Sequence, residues 1–118
     1  MEQEAQAEQR KEDLLNKRRK DKATIVENVG EPPASSKGST MIAFKLPNGS
    51  RVLRRFWDYA KVSDLYDFAD SLQDNTYVKY SLATSFPRRV LSSDLFNNSL
   101  HEAELHPQTQ LFVQDEED

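Results

Sequence analysis

Cysteine is absent from the 118 residues, which removes disulfides, thiolate nucleophiles and cysteine-ligated zinc together. Aromatic residues are missing from the first forty positions: the single Trp, four Tyr and six Phe all lie at or after Phe44. A packed core therefore has to come from the C-terminal two thirds, and the length allows one small domain plus an appendage. No apolar run approaches the ~20 residues that cross a bilayer, and the opening MEQEAQAEQRK has no apolar signal-peptide segment. Nothing in the chain calls for a membrane. A cytoplasmic or nuclear location is expected, or the ER surface if an upstream segment anchors the protein there. The Asn48-Gly49-Ser50 and Asn97-Asn98-Ser99 triplets then read as turns rather than glycosylation sites.

A continuous excess of positive charge is also lacking. Residues 1–40 hold eight basic and eight acidic side chains, and residues 41–118 hold eight basic and twelve acidic, for a net charge of −4. Duplex binding requires a cationic footprint to displace counterions, and this balance argues against one. Histidine occurs twice, His101 inside a capping pattern and His106 before a proline. No nucleophile has a partnered base, and no glycine-rich phosphate loop exists. Neither catalysis nor a cofactor is expected.

What is present falls into three parts. Residues 1–29 are rich in helix formers, with Glu8–Lys11 and Asp13–Lys17 at helical spacing, but only Leu14 and Leu15 among residues 2–24 are large and apolar. Without an apolar seam this charged extension is expected to be a solvated helix or frayed extension, the alternative being the end of a longer helix that begins upstream. The stretch 30–40, which contains GEPPASSKGST, reads as a linker. Residues 41–118 carry the domain. Ile42, Phe44 and Leu46 alternate on one face of a strand, Pro47-Asn48-Gly49 turns, and RVLRRF (51–56) returns as a second strand. Val62, Leu65, Phe68, Ala69 and Leu72 recur at helical spacing, with Ser63 expected as the cap. YSLATSF is a third strand and Val90-Leu91 a short fourth. Ser99-Leu100-His101-Glu102 predicts a short helix to about Leu105, and QLFVQ (110–114) is the closing strand. This order predicts an α+β fold, a ubiquitin-like β-grasp roll (ββαββαβ).

The motifs FKLPNG, RRF, DLYDFADSL, SFPRR and LHPQTQLFVQ, taken in this strand order, resemble the UBX domain family, closest to the C-terminal domain of the Fas-associated-factor group. The resemblance covers residues 41–118. It implies a non-catalytic adaptor that docks on the N-terminal domain of the AAA+ ATPase valosin-containing protein, which handles ubiquitylated clients. The contact positions it implies are Phe86, Pro87 and Arg88 in the loop after the third strand, with Lys45 on the first strand where much of the family has arginine. Arg89 is expected at the rim.

The residue chemistry points the same way. Phe can fill an apolar cleft, the neighbouring guanidinium can add a charge-assisted bond, and Pro87 fixes the bend between them. The aromatic-Pro bond is a candidate for the cis isomer, which the resemblance also implies. The alternative reading of another class is a nucleic-acid or acidic-partner contact through the basic run Lys17–Lys22, with the domain as a generic scaffold.

Overall fold

The structure is a computed structural model. It describes residues 2–33, 37–85 and 88–116, with side chains from Gln9 onward. Its elements are α1 (Glu2–Val29), β1 (Ser39–Lys45), β2 (Arg51–Trp57), α2 (Val62–Ser71), β3 (Tyr80–Ser85), β4 (Arg88–Val90), a 3-10 turn (Ser93–Leu95) and β5 (Gln108–Asp115). The strands form one mixed sheet in the order β2-β1-β5-β3-β4, with β1 and β5 parallel and the other pairs antiparallel. A helix lying across such a sheet is the β-grasp arrangement.

The alternation in β1 places Ile42, Phe44 and Leu46 on the inner side, at most 4% exposed. α2 brings Val62, Leu65, Phe68 and Ala69 against them, and Leu82, Leu111 and Val113 complete the sheet's share of the core. Phe44, Phe56 and Phe68 form an aromatic triad with centroids 5.1 to 6.1 Å apart. Arg54 covers its edge, the guanidinium 4.7 Å from the Phe56 ring and 5.2 Å from the Phe68 ring. Burial lowers the Arg54 pKa from its ordinary value.

Three local expectations are corrected. The α2 N-cap is Lys61, whose backbone N–H donates to the Asp64 carboxylate at 3.0 Å; Ser63 already lies inside the helix. The Ser99 capping box does form, with Ser99 N to Glu102 Oε1 at 3.2 Å and Glu102 N to Ser99 Oγ at 3.0 Å. It opens only one turn, however. Glu104 adopts φ 63°, and Leu105 N to Leu100 O (2.9 Å) with Glu104 N to His101 O (3.1 Å) closes the turn as a Schellman motif. The buried pair Leu100 and Leu105 supplies its apolar contact.

The third correction concerns α1, which is docked rather than solvated. Leu15 is 6% exposed, and Val26 packs against the core. Arg18 donates to the carbonyls of Tyr77 (2.9 Å) and Asn75 (3.2 Å), and Arg19 to that of Leu72 (3.3 Å). Lys22 pairs with Asp67 at 2.6 Å. The last turn of α2 has no basic residue of its own, so α1 supplies the cations that its unsatisfied C-terminal carbonyls favour. Between Leu15 and Val26 the seam is polar, which is why a search for apolar periodicity misses it. Gly30, at φ 74°, ends α1 with its N–H on Val26 O at 3.1 Å.

Candidate partner-docking face

Strand register assigns each side chain to a face, because directly paired residues point the same way. Lys45 pairs with Phe112, Phe112 with Ala83, and Ala83 with Val90, while Ser85 pairs with Arg88 and Ser81 with Gln114. On the other side Lys45 pairs with Arg51, Ala43 with Leu53 and Met41 with Arg55. The inner residues Ile42, Phe44, Leu82 and Val113 occupy the alternate positions, so all of these side chains share the outer, helix-free face. Among the described strand residues, that face carries Lys45, Arg51, Arg55 and Arg88 and no acid. Half of the basic residues in an acidic segment are thus gathered on one surface.

Arg55 is partly occupied, since it donates to Pro32 O at 2.9 Å and lies 3.7 Å from Glu31. The Lys45 ammonium sits 5.9 Å from the centroid of the Phe112 ring. Arg88 is exposed, and its guanidinium donates to the side-chain oxygen of Gln114.

Beyond Ala83 the β3 register with β5 stops, while the β3–β4 hairpin continues to Ser85 and Arg88. The strands part around a polar cleft of about 290 Å³, lined by Thr84, Ser85, Arg89, Glu104, Gln108 and others. Phe86 and Pro87 lie between the paired Ser85 and Arg88, outside the described residues, and so does their peptide bond. The cis peptide among the described residues is His106–Pro107.

Arg89 departs from the position expected of it. It pairs with Thr84 on the inner-side register, and its guanidinium donates to Ala103 O, binding β4 to the Leu100–Leu105 turn. The structure therefore brings Lys45 and Arg88 to one face and sends Arg89 to the other.

Sequence reasoning did not find Arg51, Phe112 or Gln114, whose membership of the face depends on strand register. Phe112 and Gln114 follow the same alternation that marks Leu111 and Val113 as core, so the signal was present once QLFVQ was read as a strand.

A ubiquitin-like roll whose open face gathers basic strand residues beside a hairpin defines a protein-binding module. The chain belongs to the UBX domain family, whose model matches residues 34–115. UBX domains are in general non-catalytic adaptors. Human FAS-associated factor 2 is 41% identical over 90 residues, 72% of this chain and 20% of that protein. Plant UBX domain-containing protein 10 of Arabidopsis thaliana is 41% identical over 86 residues, 73% of this chain and 18% of the relative. The chain thus spans about a fifth of the length of these relatives. A UBX domain solved in solution superposes with a TM-score of 0.63 at 29% identity, covering 75% of this chain and 79% of that one.

Proposed function

We propose that this chain is an adaptor module docking on the N-terminal domain of the AAA+ ATPase valosin-containing protein, and so linking it to ubiquitylated clients and protein degradation. The observation that supports this best is the sharing of one face, rich in basic strand residues, by Lys45 and Arg88, next to the hairpin positions that hold Phe86 and Pro87. Phe86 is the apolar anchor, Pro87 fixes the bend, and Arg88 and Lys45 supply charge to an acidic surface on the ATPase. The role places the protein in the cytosol or nucleus, or at the ER surface when an upstream segment anchors it.

The nucleic-acid reading loses ground because Arg18, Arg19 and Lys22 are engaged within the molecule, leaving Lys17 and Lys20 as the exposed cations of that run.

Calorimetric titration with the isolated ATPase domain tests the proposal. Phe86→Ala and Arg88→Ala should each weaken binding about thirtyfold, or ~2 kcal/mol, with native circular dichroism. Natively folded variants that both bind like the parent would sink it.

A further inference from the structure

We propose that Gln114, backed by Ser81 and Glu116, is a positioning residue that holds the Arg88 guanidinium in its docking orientation; the inference rests on the docking reading above. Four side chains form a relay in which every donor faces the same way. Arg88 donates to Gln114 Oε1, Gln114 Nε2 donates to Ser81 Oγ at 3.2 Å, and Ser81 donates to the Glu116 carboxylate.

The order of these bonds fixes the amide. A carboxylate only accepts, so the Ser81 proton is committed to Glu116 and the Ser81 lone pairs face Gln114. Gln114 must then turn its NH₂ toward Ser81, which leaves its carbonyl oxygen toward Arg88. A cation at one end and an anion at the other polarise each bond in the same sense. Ser81 is 8% exposed, which holds the middle of the relay in place. Ser81 and Gln114 are also directly paired across β3 and β5, so the backbone sets their separation.

An exposed arginine without such a partner samples many rotamers and loses that freedom on binding. Gln114 removes part of the loss in advance. An amide suits the role better than a carboxylate: it orients the guanidinium without neutralising it, and a carboxylate on a partner makes a stronger bond and can displace it. Arg89, one residue on, has the contrasting task of holding the hairpin's inner side to Ala103 O.

Two measurements test the proposal. In the free protein, ¹⁵N relaxation of the Arg88 Nε–H should show lower order in Gln114→Ala and Ser81→Ala while the Leu82 amide is unchanged. In titrations with the isolated ATPase domain, Gln114→Ala should weaken binding about three- to tenfold, and should add nothing in an Arg88→Ala background. Gln114→Glu should raise Arg88 order yet weaken binding, because it sequesters the cation. Unchanged Arg88 order in Gln114→Ala, or fully additive losses in the double variant, would overturn the positioning role. Parent-like binding by Arg88→Ala would overturn the docking reading instead. A loss in Arg88→Ala with parent-like affinity in Gln114→Ala would remove the positioning role alone.

Discussion

Lys45 and Arg88 share a face but hold their charges differently. Arg88 is fixed through Gln114, whereas the Lys45 ammonium rests near the Phe112 ring and stays exposed. Lysine is a point charge without arginine's planar fork. Lys45→Ala should therefore cost less docking affinity than Arg88→Ala, and Lys45→Arg should tighten the complex; both follow from titrations with the ATPase domain. Pro87→Ala should weaken binding in the same titrations, because it frees a backbone angle that the proline ring restricts.

The Asp70 carboxyl offers a second test. Burial holds its carboxyl above the ordinary 3.8, outweighing the Tyr80 hydroxyl and the nearby Arg18 and Lys22, which pull the other way. Just above 3.8 the folded chain keeps a proton that the unfolded chain has released. The group's contribution to stability is thus full below 3.8 and is lost as pH rises through the folded value. In urea melts between about pH 3.5 and 6, the stability of the parent minus that of Asp70→Asn should fall as pH rises. A rising difference would show that the ion pairs outweigh burial.

Elements differ in how far their sequences reveal them. β1 and α2 were legible because Ile42-x-Phe44-x-Leu46 and Val62, Leu65, Phe68 and Ala69 bury along simple periods. The docking of α1 was not, since most of its polar contacts run from two guanidiniums to main-chain carbonyls, and any carbonyl in the chain could have received them. Likewise nothing in the sequence marks Asn75 as fully buried and donating to Ala69 O at 3.0 Å. The extent of the helix after Ser99 was overestimated because a capping box marks a start and says nothing about length.

If the polar seam holds α1, Arg18→Ala should destabilise the domain by about 1.5–3 kcal/mol, the range for hydrogen bonds from a charged group. Its side chain is 16% exposed, so solvent replaces little of what is lost. Chemical denaturation would read this directly. Leu14→Ala, at 55% exposure, should change little.

For the molecule as a whole, the net charge of −4 misdescribes the surface that matters. The sheet sorts charge by strand parity, and no summed composition can display that sorting. Docking should therefore weaken as salt rises, chiefly through a slower association rate, despite the chain's overall negative charge. Stopped-flow association at several ionic strengths measures this, and a flat or inverted dependence would count against the cationic face. The fold class was legible from strand order alone; the composition of the face required the register.

The fastening of α1 also has a mechanical consequence. α1 packs beside α2, on the side of the sheet opposite the open face, and the molecule is 54 Å long against 31 and 26 Å across. Tension applied through the N-terminal helix would be received first by the bonds of Arg18 and Arg19 to the end of α2 and to the segment between α2 and β3. Arg18 also reaches the Tyr77 carbonyl just ahead of β3, so the load passes to the base of the hairpin before it reaches β4 and Arg88. A pull on the N-terminal helix would thus load the rear of the domain first and the open face last.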